Sequence, residues 1–170
     1  MHRGIFGRTN SGKSFLAKNL ADKNLRDGKN VQIIDPTGSF PDAWENKKNC
    51  FYVDEINQLN LVPSFIYADE AGSYLRVRDL DNHWLLTEGR HYGFLVTVIS
   101  QRPKMVAPNI RSQLTELFIF MLAEKDAGDL ASEYDFDPKI VTDLRQGEFL
   151  HIKFNENDGV YKKHLHKLKV

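Results

Sequence analysis

Gly7-Arg8-Thr9-Asn10-Ser11-Gly12-Lys13-Ser14 fits the pattern G-x-x-x-x-G-K-[ST], and its flanks are the ones such a loop needs. Before it, Arg3-Gly4-Ile5-Phe6 can be a short buried strand. After it, Phe15-Leu16-Ala17-Lys18-Asn19-Leu20-Ala21 carries apolar residues at helical spacing. Strand, glycine loop and helix together turn backbone N–H groups toward a polyphosphate, and the helix N-terminus adds its partial positive charge. The phosphate-binding run therefore extends from Gly7 to Phe15 and takes in Arg8, Thr9, Asn10, Ser11 and Gly12. Lys13 can reach the β and γ phosphates, and the Ser14 hydroxyl can ligate Mg²⁺. Taken alone, the loop says that a nucleotide polyphosphate binds here and leaves kinase, switch and motor open.

The rest of the composition sets bounds. A chain of 170 residues suits one α/β domain spanning 1–170, with a core that needs no metal or disulfide. Acids and bases balance at 23 each, so the net field announces no nucleic-acid partner. Their distribution is uneven. Residues 126–158 hold nine acids against Lys139, Arg145 and Lys153, whereas residues 161–170 hold four lysines, His164, His166 and no acid. That basic tail suits contact with DNA or anionic lipid, or simply a lysine-blunted edge strand. Cys50 is the only cysteine, which excludes an internal disulfide and a cysteine-built metal cluster and fits a reducing compartment; it reads as a small buried hydrophobe. No apolar run approaches the ~18 residues of a membrane span, and no signal-peptide core opens the chain. The expected location is cytoplasmic, either in a cell or, for a viral protein, in the host cytoplasm or the virion.

A second landmark is Phe65-Ile66-Tyr67-Ala68-Asp69-Glu70-Ala71, an apolar strand ending in two acids, as in a Walker B element. Asp69 would hold Mg²⁺ beside Ser14, and Glu70 is placed to orient or deprotonate the water that attacks the γ-phosphate. The third is Phe94-Leu95-Val96-Thr97-Val98-Ile99-Ser100, a buried strand ending in Gln101-Arg102-Pro103, where Gln101 can meet the γ-phosphate or that water. Between and around these the pattern predicts a first helix to about Arg26 and strands at 31–35 and 49–53. It also predicts a helix within 72–91, a short helix from Pro108, a strand at 117–122 and helices at 126–134 and 138–144. A terminal hairpin follows, of 149–154 and 160–168 around Asn157-Asp158-Gly159. Asp35, at the end of its strand, reads as a turn-capping carboxylate before a second contact to the site.

The succession G-R-T-N-S-G-K-S, then Y-A-D-E-A, then R-H-Y-G-F-L-V-T-V-I-S-Q-R-P resembles the HerA/FtsK group of P-loop ATPases over about residues 3–122. These are RecA-like DNA-pumping motors, among them chromosome translocases, conjugation coupling proteins and viral genome-packaging ATPases. The resemblance implies a RecA-like (ASCE) P-loop NTPase fold: a mainly parallel sheet of order 5-1-4-3-2 flanked by helices. The strand of Gln101 then lies between those of Gly7 and Asp69. It further implies ATP and Mg²⁺ as cofactors and a homo-oligomeric ring, hexameric or pentameric, acting on double-stranded DNA without sequence preference. A viral capsid vertex or an internal membrane is a further possible partner. A trans-acting arginine is part of the same implication; Arg90 and Arg111 rank above Arg102 for that role. Arg102, Lys104 and Arg111, acid-free over ten residues of sequence, suit phosphate contacts. Asn10 departs from the glycine frequent at its place in the loop. Only six residues precede Gly7, so the expectation is a nearly bare motor, core 3–122 with terminal helices and hairpin at 126–170, as in a small packaging ATPase.

Two rivals share parts of the pattern. A thymidine-kinase-like nucleoside kinase has a similar P-loop and D-E strand end, but such enzymes usually carry a cysteine zinc ribbon, and Cys50 stands alone. A nucleotide-gated assembly or morphogenesis ATPase would use the basic terminal hairpin to meet membrane or capsid and would pump nothing.

Overall fold

The computed structural model describes residues 2–168. Strand β1 (His2–Phe6) enters the centre of a sheet, and Gly4, Ile5 and Phe6 are buried there. The glycine loop turns the chain into helix α1 (Lys13–Arg26). Leu16, Ala17, Ala21 and Leu25 form its buried stripe, and each leucine so covered contributes ~2 kcal/mol. The helix stops at Gly28, whose φ of 72° lies in the left-handed region and whose N–H donates back to the Leu25 carbonyl.

Strand β2 (Val31–Ile34) is buried along its whole length, and it tolerates Gln32 because every polar atom of that side chain finds use. Its Nε2 donates to Asn60 O at 2.9 Å and Ser64 Oγ at 3.0 Å, and its Oε1 accepts from Asn60 N–H at 2.8 Å. Strand β3 (Cys50–Val53) lies outside β2, with Cys50 buried; burial pushes its thiol up to about 11, as an inert hydrophobe requires. Strand β4 (Ser64–Ala68) delivers Asp69 and Glu70, and β5 (Phe94–Ser100) delivers Gln101.

The helix expected within 72–91 is instead a chain of short turns. They are 3-10 segments at Ala71–Ser73, Leu80–Asn82 and Gly89–Tyr92, with one helical turn, α2 (Trp84–Thr87), among them. Side chains here take the backbone groups a helix would use. Asp79 accepts from Arg76 N–H and from its guanidinium, His83 Nε2 pairs with Arg76 O, and Asn82 donates to Tyr74 O. The apolar spacing that suggested a helix also fails as a face, since Val77 and Leu80 stand 68% and 69% exposed.

Helix α3 (Pro108–Arg111) leads to β6 (Leu114–Ile119). This strand begins and ends three residues before the expected one. Leu114 already pairs with His2, while Met121 O accepts from Arg8 N–H and Leu122 N–H donates to Val141 O, so the chain leaves the ladder to serve the glycine loop and its neighbours. Helices α4 (Glu124–Tyr134) and α5 (Pro138–Thr142) precede the hairpin of β7 (Glu148–Asn155) and β8 (Val160–Lys167), close to expectation.

Among the described residues eight strands run β3-β2-β4-β5-β1-β6-β7-β8, parallel from β3 to β6, with β7 and β8 antiparallel. Within it β6-β1-β5-β4-β2 is the order 5-1-4-3-2, to which β3 adds one edge and the hairpin the other. One face packs Ile5, Ile33, Tyr67, Ile99 and Phe118 under α1; the other packs Phe6, Ile66 and Val98 under Leu86 of the 71–92 turns and Leu130 of α4. Parallel central strands put the C-terminal ends of β1, β4 and β5 on one rim, where ligands bind in open α/β sheets.

Candidate active site

Each of the three motifs leaves its strand at that rim. The loop after β1 wraps back on itself: Ser11 N–H donates to Arg8 O, and Lys13 Nζ donates to the same carbonyl at 2.9 Å. Gly7 lies so close to Phe120 that a Cβ would sit 2.5 Å from Phe120 Cβ. Gly12, at the start of α1, has φ 113°, and a Cβ there would meet Leu168 Cδ1 at 2.8 Å. Asn10 also lies in the left-handed region, φ 61°, which asparagine tolerates better than other side chains; that is why it can stand where glycine is frequent. Among the described residues Ser11 Oγ is buried without a hydrogen-bond partner, and Lys13 is 7% exposed. An orphan hydroxyl and an enclosed ammonium in one loop fit an incoming anionic oxygen. Burial holds the Lys13 ammonium below the ordinary lysine range, against the opposing pull of Glu70 and Asp69.

Asp69 is 5% exposed. Its Oδ2 accepts a short hydrogen bond from Ser39 and its Oδ1 accepts from Glu70 N–H at 2.9 Å. Burial raises its pKa, the two donors lower it, and the charges of Asp35 and Glu70 raise it again. A cation would relieve this carboxylate, and the all-oxygen set of Asp69 and Ser14 fits a hard ion such as Mg²⁺ completed by water and phosphate oxygens. Asp35 caps its turn as expected, accepting from Thr37 N–H at 3.3 Å and Phe40 N–H at 2.7 Å. Ser39, also 3.4 Å from Asp35 Oδ1, links that cap to Asp69. Nothing in the sequence marked Ser39, because the link depends on how the loop after β2 lies against β4.

Glu70 sits at φ 46°, uncommon for a side chain of its size, so the turn that follows holds it in a strained pose. Gln101 Nε2 donates to Glu70 Oε1 at 3.0 Å, and Thr9 Oγ1 donates to Gln101 Oε1 at 3.0 Å. The glycine loop and the ends of β5 and β4 are thereby joined in one line of hydrogen bonds.

The arginines separate. Arg111 is 7% exposed, and its guanidinium is spent: Nε donates to Glu133 at 2.9 Å, Nη2 to the same carboxylate, and Nη1 to Val106 O at 2.7 Å and Pro103 O at 3.3 Å. This clamp between α3 and α4 removes Arg111 from both the finger and the DNA-contact expectations. The cluster that is acid-free in sequence is not so in space. Asp126, from α4, stands 3.2 Å from Arg102 Nε and 4.0 Å from Lys104 Nζ, and it neutralises much of that surface. Arg90 is exposed just before β5, at the end of the sheet opposite the glycine loop, so it cannot serve the site of its own chain. Phe15 is 41% exposed on the first turn of α1.

A family model described as the central domain of the helicase HerA matches residues 1–84. Among solved structures, the genome packaging NTPase B204 of Sulfolobus turreted icosahedral virus 2, in complex with AMPPCP, is similar with a TM-score of 0.74 at 18% identity, covering 96% of each chain. VirB4 of Thermoanaerobacter pseudethanolicus gives a TM-score of 0.75 at 10% identity, covering 99% of this chain and 89% of that one. The pCW3 conjugation coupling protein TcpA gives 0.64 at 15% identity, over 94% and 59%. No curated protein matches the sequence. At these identities the structural likeness is one of fold. The family model thus supports the HerA part of the resemblance over residues 1–84, and the solved structures share the fold of nearly all of the chain.

Proposed function

We propose that the chain is a Mg²⁺-dependent ATPase that works as a homo-oligomeric ring and moves double-stranded DNA, as in viral genome packaging. The observation that carries the hydrolytic part is the Thr9–Gln101–Glu70 line, with bonds of 3.0 Å at each step. It leads from the loop that binds the phosphates to a carboxylate able to take a proton from water. The DNA part is supported by likeness of fold to the genome packaging NTPase B204 and by the match to the HerA central domain.

In this mechanism the N–H groups of the Gly7–Ser14 loop and the Lys13 ammonium bind the β and γ phosphates, and ATP draws Lys13 away from Arg8 O. Ser14 and Asp69 are the residues that would hold Mg²⁺, which would supply charge neutralisation on the phosphate oxygens. Gln101, fixed between Thr9 and Glu70, orients the attacking water. Glu70 accepts its proton, and the bond from Gln101 Nε2 holds its carboxylate beside that water. Arg90 of a neighbouring subunit supplies the remaining positive charge.

Steady-state ATP hydrolysis of the purified chain, with and without duplex DNA, tests this. The expected result is turnover that rises with DNA. Glu70→Gln should lower it by roughly 100-fold or more with nucleotide binding retained, and Lys13→Ala should abolish binding. Robust turnover in Glu70→Gln would remove that residue from its role; turnover indifferent to DNA would sink the motor; phosphoryl transfer to a nucleoside would replace it with a kinase.

A further inference from the structure

Charges on the terminal hairpin are sorted by face. In the β7–β8 ladder, Ile152 lies opposite Lys163, Leu150 opposite Leu165 and Glu148 opposite Lys167. On this face Leu150 and Ile152 join the core, and both lysines meet carboxylates, Lys163 with Asp135 at 3.4 Å and Lys167 with Glu148 at 4.0 Å. The other face holds the alternate residues: Lys153 opposite Lys162, His151 opposite His164, and Phe149 opposite His166. Among the described residues no carboxylate pairs with Lys153, and Lys162 has only Asp158 of the turn, at 3.7 Å between two exposed groups. The one buried acid of this face, Glu116, is already taken by Arg3 at 2.6 Å and His151 at 3.0 Å.

The imidazoles are held in place. His151 stacks on Phe118 with ring centroids 4.6 Å apart and planes 4° from parallel, and His166 stacks on Phe149 at 5.3 Å and 18°. Successive rungs of such a ladder stand about 7 Å apart, so three span ~14 Å, the rise of about four nucleotides of one strand. Two exposed lysines and the exposed rings of His164 and His166, repeated along one face of a regular ladder, suit a phosphate backbone, because the spacing of the rungs matches that of its charges.

The geometry points to this face, with Lys153, Lys162, His164 and His166 on it and His151 bound to Glu116 beneath them, as the surface that binds the phosphates of duplex DNA, in place of the Arg102–Lys104 cluster that Asp126 neutralises. The inference rests on the DNA-motor reading and adds the surface that reading lacks.

Fluorescence anisotropy of a labelled duplex across a salt series tests it, with nucleotide hydrolysis measured on the same preparations. Lys153→Ala/Lys162→Ala should weaken binding about tenfold and flatten the slope of log K against log salt by about two. His164→Ala/His166→Ala should weaken it less, and both variants should keep basal ATP hydrolysis, which shows that they fold. Unchanged affinity in these variants, with loss in Arg102→Ala/Lys104→Ala, overturns the hairpin assignment and leaves the DNA motor standing. Wild-type protein that ignores duplex DNA overturns both. If it ignores DNA but binds phosphatidylserine vesicles through Lys153 and Lys162, the face belongs to a membrane contact and the proposal falls.

Discussion

Thr9 has a specific task within the glycine loop. Its hydroxyl is the only link in the Thr9–Gln101–Glu70 line that comes from the loop itself. Thr9→Val keeps the shape and removes the donor. We expect kcat to fall about tenfold, the worth of one well-placed hydrogen bond, with KM changed little. A fall in kcat matched by a rise in KM would make Thr9 a binding residue only. That the loop, Asp69, Glu70 and Gln101 leave strand ends at one rim was legible because each belongs to a contiguous motif. Ser39 and Asp126 were not, since their partners Asp69 and Arg102 lie 30 and 24 residues away in sequence. Arg111 misled for the same reason: its acid, Glu133, comes from another helix.

At the scale of elements, titratable groups tie β1 to the strands beside it. His2 is 5% exposed, and its Nδ1 accepts from Val96 N–H at 3.1 Å. Burial lowers its pKa from 6.5 to about 4. Between those values the unfolded chain binds a proton on His2 that the folded chain refuses, so stability falls as pH drops from about 6.5 to about 4. Urea unfolding should show this loss, and His2→Gln should flatten it; an equally steep loss in the variant would exclude His2 as its source. Glu116, joining β1 to β6 and β7, behaves oppositely in cause. Burial raises its pKa, but the bonds from His151 and Arg3 prevail and hold it at about 2, against 4.5 unperturbed. Its contribution is full above about 4.5 and lost as pH falls toward 2, and Glu116→Gln should remove that second limb from the unfolding curve.

The same scale explains why the terminal hairpin matters to the glycine loop. Gly147 N–H donates to Ser11 O at 3.0 Å, Leu168 N–H donates to Gly147 O at 2.8 Å, and the Leu168 side chain lies against Gly12. The hairpin was visible in alternation and in its Asn157-Asp158-Gly159 turn, but its role as a wall of the loop was not, because β7 reaches the loop only by pairing with β6. The stretch 72–91 went wrong in a related way. Its apolar spacing was real, but Asp79, Asn82 and His83 bind local backbone and break the helix into turns.

For the whole molecule, the position of Arg90 carries a prediction. It lies at the end of the sheet away from its own loop, so in the proposed ring any part it has in hydrolysis is played in the next subunit. Arg90→Ala and Lys13→Ala should each be inactive alone. Mixed, they should recover part of the activity, because an intact loop on one subunit then faces an intact Arg90 on its neighbour. Hydrolysis by Arg90→Ala at the wild-type rate, or no recovery in mixtures that assemble, would take Arg90 out of the ring site.

The sequence alone determined the strand, glycine loop and helix around Gly7–Ser14 and the residues at the three strand ends, and through them the nucleotide-phosphate site proposed at the rim. Those are properties of short contiguous segments, where periodicity, glycine and terminal acids act over a few residues. The extent of pairing at the sheet edges, the line from Thr9 to Glu70, the neutralisation of Arg102 by Asp126, the burial of Arg111 and the sorting of hairpin charges by face were decided only by tertiary structure. Each depends on which distant backbone is brought within about 3 Å, and hydrogen bonds and ion pairs act only at that range. No local pattern records it.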